Sequence, residues 1–213
     1  MAVEIKICGL SDAATLDAAL DAGADHVGFV SFPKSPRHVD VARAAELAAR
    51  ARGRAGVVLL TVDMGDDALD AAVADVAPDV LQLHGHETPE RAAALKARHG
   101  LAVWKALPVS GPDDLAAVTL YAPVVDRVLF DARPPKGAAL PGGNGVAFDW
   151  RLLDRLDPKL RFVLSGGLTP ENVAQALAVV RAPAVDVSSG VESAPGVKDP
   201  ERIRAFVAAV RGA

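Results

Sequence analysis

Short apolar runs rich in β-branched residues and leucine recur about every 20 to 30 residues, each followed by a longer alanine-rich stretch with helical spacing. The runs predict strands at 3–8, 26–31, 56–61, 80–84, 101–107, 127–131, 161–165 and 184–188, with helices filling the gaps. Three helix starts repeat one signature: Thr88-Pro89-Glu90, Thr169-Pro170-Glu171 and Asp199-Pro200-Glu201. In each, a side-chain oxygen caps an orphan backbone N–H, a proline loses nothing at the first helical position, and an acid meets the positive end of the helix dipole. Eight strand–helix units predict an α/β fold, a single (β/α)8 TIM barrel, as one domain over 1–213. The competing architecture is an open doubly wound sheet. After the first strand, however, the chain reads Cys8-Gly9-Leu10-Ser11, without the G-x-G-x-x-G that opens a dinucleotide-binding helix.

Period two along each strand assigns side chains to the barrel interior or to the layer under the helices. In the first strand Val3, Ile5 and Ile7 share the outer face, which turns Glu4, Lys6 and Cys8 inward. In the fourth, Leu81 and Leu83 pack outward while Gln82 and His84 point in; in the sixth, Val128 and Phe130 oppose Leu129 and Asp131. Asp186 turns inward on the eighth strand, and Lys105 on the fifth is predicted to join it. Lys6, Lys105 and Asp186 read equally well as a satisfied internal ion network. Cys8 and Asp131 end their strands, where a parallel barrel exposes its reactive groups. A thiol and a carboxyl group there suggest proton transfer. The bland alternative is that Cys8 is a small buried hydrophobe, inert because burial raises its pKa.

Composition excludes several classes. With 213 residues, 51% of them hydrophobic, the chain can bury one sizeable core. A net charge of −4 and a pI near 5.7 provide no basic face, so no nucleic acid is expected as a partner. One cysteine excludes an intrachain disulfide and a multi-cysteine zinc site. The amino terminus enters a strand with no apolar signal region, so the cytoplasm is the predicted location. The longest apolar runs, such as 55–62, have strand length and fall far short of the ~20 residues that span a bilayer, so no membrane association is expected. The expected partner is a small phosphorylated molecule, and the assembly a monomer or homodimer.

The phosphate follows from two glycine-rich strand ends, Leu164-Ser165-Gly166-Gly167-Leu168 and Asp186-Val187-Ser188-Ser189-Gly190. Glycine lets backbone N–H groups approach an anion closely, and loops after strands seven and eight bind phosphate in many such barrels. A second anion site is suggested by Phe32-Pro33-Lys34-Ser35-Pro36-Arg37-His38. Its prolines stiffen the loop, and the planar fork of Arg37 suits a carboxylate. The stretch 132–148, with Gly142-Gly143-Asn144-Gly145, is long enough to be a lid or binding element. His84-Gly85-His86 is the only close histidine pair; alternating residues diverge, and no carboxylate cluster completes a metal site, so no metal is expected. Hydrolysis by a Cys8/His84 couple stays open as a second chemistry.

Together these motifs resemble the phosphoribosylanthranilate isomerase family of the tryptophan pathway over nearly the entire chain. The likeness lies in Lys6-Ile7-Cys8-Gly9-Leu10, Ser35-Pro36-Arg37, Gln82-Leu83-His84-Gly85 and Phe130-Asp131, in Gly142-Gly143-Asn144-Gly145 with Phe148-Asp149-Trp150, and in the two late glycine loops through Val191-Glu192. One departure is Asn144, where the family usually has threonine or serine. The resemblance implies an Amadori rearrangement of N-(5-phosphoribosyl)anthranilate to 1-(2-carboxyphenylamino)-1-deoxyribulose 5-phosphate, without metal or cofactor. By that likeness Asp131 is the general acid, Cys8 the general base, and Arg37 the holder of the anthranilate carboxylate. Gly166, Gly167, Ser188, Ser189 and Gly190 would hold the phosphate. Gln82, His84, Gly143, Asn144 and Asp186 complete the implied substrate-binding set. Three alternatives remain: the histidine-pathway isomerase, whose two-aspartate design Cys8 does not match, an isomerase serving both pathways, and a catalytically silent binder of phosphorylated ligands.

Overall fold

The computed structural model of the protein describes residues 2–133, 142–143 and 147–213, with Arg155 described by its backbone alone. Eight parallel strands close into a barrel in chain order: β1 Glu4–Cys8, β2 His26–Ser31, β3 Gly56–Thr61, β4 Val80–Leu83, β5 Ala102–Val109, β6 Arg127–Ala132, β7 Phe162–Leu164 and β8 Ala184–Val187. Closure sets β1 beside β8, with Lys6 level with Asp186, and beside β2, with Cys8 level with Gly28. The helices are α1 Ala13–Ala22, α2 Val41–Ala51, α3 Asp66–Val76, α4 Pro89–His99, α5 Val118–Tyr121, α6 Val173–Val180 and α7 Pro200–Arg211. A hairpin of β9 Glu192–Ala194 and β10 Val197–Lys198 follows β8. Among the described residues, no helix is long and apolar enough to cross a membrane.

Alternation along the strands builds two cores. Ile5, Ile7, Phe29, Leu59, Leu81, Val128 and Phe130 face outward into one continuous layer with Leu16, Leu47, Leu95 and Phe206 of the helices. Burying each such side chain is worth about 1.5–3 kcal/mol, which makes this layer the main source of cohesion. Inside the barrel Val58, Val80, Trp104, Leu129 and Val163 form a plug. Below it Arg127 reaches Glu4 at 2.7 and 2.9 Å and lies 5.2 Å from the Trp104 ring, sealing the lower end. Among the described residues the interior is therefore packed at the bottom, and the strand-end polar groups gather at its upper rim.

Three expectations need correction. Lys105 points outward with Val103 and Leu107 because Trp104 takes the inner position; its Nζ donates to the Gly85 carbonyl at 2.7 Å and to Glu87 at 3.1 Å. It staples the loop after β4 rather than joining the inner polar layer. Thr88 and Asp199 cap their helices as read from the sequence, but Thr169-Pro170-Glu171 forms a turn ahead of α6. Asn172 holds that turn, accepting from Thr169 N at 2.8 Å and donating to the Gly167 carbonyl at 2.9 Å. The gap between β6 and β7 contains a 3-10 helix, Trp150–Arg155, in place of a full α-helix. Pro158 follows closely and disfavours helical backbone at the residue before it, which limits that segment's length.

Candidate active site

The upper rim surrounds an open cavity with about 770 Å³ of empty space, open solvent at its mouth included. Cys8, Val30, Leu60 and Phe32 form an apolar wall, and Gln82, His84 and Asp131 face it. Arg37 and Gly143 stand at one side, Gly166, Gly167, Ser188 and Ser189 at another, and Asp186 on the floor. These fourteen strand and loop positions from distant parts of the chain thus converge as the barrel rule predicts.

Cys8 is buried, and that burial pushes its thiol above the ordinary value while the Lys6 ammonium pulls it back. Both groups crowd Gly28: a Cβ there would lie 3.1 Å from Cys8 Sγ and 3.1 Å from Lys6 Nζ. Glycine here leaves the thiol and the ammonium that space without displacement. Lys6 is itself held by Asp186 at 2.8 Å, and the other Asp186 oxygen accepts from Ser165 Oγ at 3.2 Å. Both Asp186 oxygens are thus engaged within the protein, which makes this residue the anchor of Lys6 more than a free ligand for substrate.

Across the cavity, Asp131 Oδ1 accepts from the Ala132 N–H at 2.9 Å, and Oδ2 lies 3.3 Å from His84 Nε2. His84 Nδ1 is 3.3 Å from Gln82 Nε2, and Gln82 Oε1 is buried with no partner among the described residues. A neutral imidazole with its proton on Nε2 satisfies this chain, donating to Asp131 and accepting from Gln82. Gly142 covers the pair closely, since a Cβ there would fall 2.5 Å from both Asp131 Oδ2 and His84 Nε2. Asn144 lies outside the described residues.

Arg37 differs from its expected role as a free fork. Its Nε and Nη2 donate to Glu192 at 2.7 and 2.8 Å, and Nη2 also reaches the Gly143 carbonyl at 3.2 Å. Only Nη1 is without a protein partner among the described residues. Of the glycine loops, Gly166 and Gly167 adopt left-handed backbone at φ +83 and +66 and line the cavity. Gly190 does not: a Cβ there would sit 1.8 Å from the Leu168 carbonyl oxygen, so this glycine allows the loops after β7 and β8 to touch. Sequence reasoning assigned no role to Glu192, whose pairing with Arg37 spans distant loops, or to Lys198, which pairs with Glu192. Among the described residues, no group of three or more His, Cys, Asp or Glu side chains is gathered to hold a metal ion.

A profile described as N-(5'-phosphoribosyl)anthranilate (PRA) isomerase matches residues 5–209. The chain belongs to this family. An N-(5'-phosphoribosyl)anthranilate isomerase of Rhodopseudomonas palustris (strain BisA53) is 63% identical, covering 99% of this chain and 97% of its own. The corresponding isomerase of Azorhizobium caulinodans is 62% identical over 100% of this chain and 93% of its own. Among solved structures, phosphoribosyl anthranilate isomerase from Thermotoga maritima superposes with a TM-score of 0.86 at 34% identity, covering 99% of this chain and 100% of that one. A phosphoribosyl anthranilate isomerase in complex with reduced 1-(o-carboxyphenylamino)-1-deoxyribulose 5-phosphate superposes with a TM-score of 0.83 at 33% identity, with 99% and 100% covered. The activity of the present chain is the isomerisation of N-(5'-phosphoribosyl)anthranilate in tryptophan biosynthesis.

Proposed function

We propose that Cys8 and Asp131 are the base and acid of this isomerisation and that the whole chain acts as one catalytic domain without metal or cofactor. The observation that carries the reading is their convergence from β1 and β6 on one cavity, with cationic Arg37 and two glycine loops around the same space. Asp131 delivers a proton to the furanose ring oxygen as the C1–O bond breaks, leaving a protonated Schiff base between C1 and the anthranilate nitrogen. The Cys8 thiolate then takes the proton from C2, and the electron pair of that bond forms the C1–C2 double bond of an enolamine. Tautomerisation turns C2 into the ketone and returns a proton to C1, so the substrate is redistributed internally with no external oxidant. Lys6 steadies the thiolate, and His84 orients the Asp131 carboxyl group. The Nη1 edge of Arg37 meets the anthranilate carboxylate, while backbone N–H groups at Gly166 and Gly167, with Ser188 and Ser189, receive the phosphate. The ligand bound to the 33%-identical neighbour carries both a carboxyphenyl and a 5-phosphate group, which supports a two-ended site. The proposed assembly is a monomer or a homodimer. The proposed location is the cytoplasm, where a charged phosphate ester is retained by its membranes.

Turnover of N-(5'-phosphoribosyl)anthranilate by wild type, Cys8→Ala and Asp131→Asn tests the assignment. Each variant is expected to lose about 10²- to 10⁴-fold in kcat while binding the reduced product analogue nearly normally, because each removes a proton-transfer group rather than a binding contact. Near-native turnover by either variant would move its role to another residue. Ser189→Ala should cost phosphate affinity only modestly, since backbone donors persist.

A further inference from the structure

Behind Arg37 lies a buried charged network that the chemical steps do not use. Glu192 opens β9 and Lys198 ends β10, and their side chains are 4% and 0% exposed. Glu192 Oε1 accepts from Arg37 Nε and from Lys198 Nζ, both at 2.7 Å. Its Oε2 accepts from Arg37 Nη2 at 2.8 Å and from the Gly196 N–H at 3.2 Å. Lys198 Nζ also donates to the Ser188 carbonyl at 2.8 Å and to Ser188 Oγ at 3.1 Å, and that hydroxyl donates to the Cys8 carbonyl at 3.1 Å. One carboxylate therefore has four donors and one ammonium has three acceptors, so neither group can rotate without breaking a buried charged contact.

Two physical consequences follow. A guanidinium held at Nε and Nη2 cannot spin, so its remaining edge, Nη1, keeps one direction; that edge lies 2.5 Å from where a Cβ on Gly143 would stand, on the cavity wall. In charge, Glu192 alone would cancel Arg37 and leave nothing to attract a substrate carboxylate, whereas Lys198 restores one net positive charge to the cluster. Burial by itself would raise the Glu192 pKa, yet the Arg37 hydrogen bond and the Lys198 charge bring it below the ordinary carboxylate value.

We propose that Glu192 and Lys198 are positioning residues that orient the substrate: Glu192 aims the free edge of Arg37 into the cavity, and Lys198 offsets the charge of Glu192 while tying the loop after β8 to the same brace. The carboxylate and phosphate ends of the site are thereby held at a set separation by one hairpin, which selects ligands carrying both anions at that spacing. This inference rests on the assignment of Arg37 to the aromatic carboxylate.

The test compares Glu192→Gln, Lys198→Met, Lys198→Arg and Arg37→Ala by calorimetric titration with two probes, alongside kcat and KM. The probes are the reduced product analogue, which carries carboxylate and phosphate, and ribose 5-phosphate, which carries phosphate alone. Glu192→Gln is expected to weaken the analogue about tenfold and ribose 5-phosphate by less than about twofold, raising KM more than it lowers kcat. Lys198→Met should weaken both probes, and Lys198→Arg should recover most of the loss. If Glu192→Gln weakens both probes equally, or neither, while Arg37→Ala stays selective for the analogue, Glu192 is only structural and the carboxylate assignment survives. If Arg37→Ala itself weakens both probes equally, that assignment fails and the positioning role falls with it. Should Glu192→Gln not fold, Glu192→Asp supplies the same comparison, with selective loss of the analogue as the supporting result and equal loss as the overturning one.

Discussion

At the scale of single residues, the chemistry is decided by how burial is opposed. Cys8 was legible as a strand-end thiol, and a base is most useful when a thiolate can form, but removal from water favours the neutral thiol. Burial wins in the free protein and leaves the Cys8 pKa above the ordinary 9.0, with the Lys6 ammonium limiting the rise. The pH dependence of alkylation is therefore expected to show a midpoint above 9.0 for wild type, and a higher one for Lys6→Met, which removes the opposing charge. The kcat/KM profile should rise with pH toward the same midpoint, since it reports groups of the free enzyme. A Lys6→Met midpoint at or below that of wild type would remove Lys6 from the thiol's surroundings. Gly28 shows why such a pairing is hard to read from a sequence: a glycine inside a strand carries no chemical signal until its neighbours are known.

At the scale of elements, strands were read with small errors in their ends, while the loops that carry function needed three dimensions. His84, Ser165 and Ser188, read as strand residues, lie just beyond β4, β7 and β8, at the lip of the cavity. Lys105 was misplaced because an apolar tryptophan beside it competes for the interior, and larger apolar area prevails. Two glycines from different loops also take different roles. Gly142 backs onto short side chains of the acid pair, whereas Gly190 backs onto the Leu168 backbone. Gly142→Ala is accordingly expected to reduce kcat by about tenfold or more with a near-native thermal midpoint, because its Cβ disturbs Asp131 and His84 locally. Gly190→Ala should instead destabilise the fold by about 1–3 kcal/mol, since two backbones must separate. Thermal melts and turnover of both variants check this, and a Gly190→Ala protein that melts with wild type would disprove the loop contact.

On the scale of the whole molecule, closure of the barrel makes neighbours of Lys6 and Asp186, which are 180 residues apart, and of Arg37 and Glu192, which are 155 apart. Buried ion pairs of this kind tie stability to pH. The Glu192 pKa lies below its ordinary 4.5 in the fold, so its carboxylate stabilises the protein above about pH 4.5, and that contribution is lost as the pH falls through the lowered folded value. The thermal midpoint of wild type should exceed that of Glu192→Gln by a constant margin above pH 4.5, and the two should converge on further acidification. A margin that persists into acid would mean that the charge of Glu192 is not what stabilises the fold.

By itself the sequence determined the eight barrel strands, their inner and outer faces apart from that of β5, and the glycine and strand-end positions that meet at the rim, because alternation and turn chemistry are local and are set by neighbours in the chain. Tertiary structure alone decided which charges pair. Closure set Asp186 against Lys6, engaged the other Asp186 oxygen with Ser165, and left Arg37 one free edge beside a Glu192 that also pairs with Lys198, while Lys105 turned out of the barrel to Glu87. The reason is that a buried charge is tolerated only beside its partner, and the partner's distance in space, which no local pattern encodes, is fixed by the geometry of eight strands closing on one another.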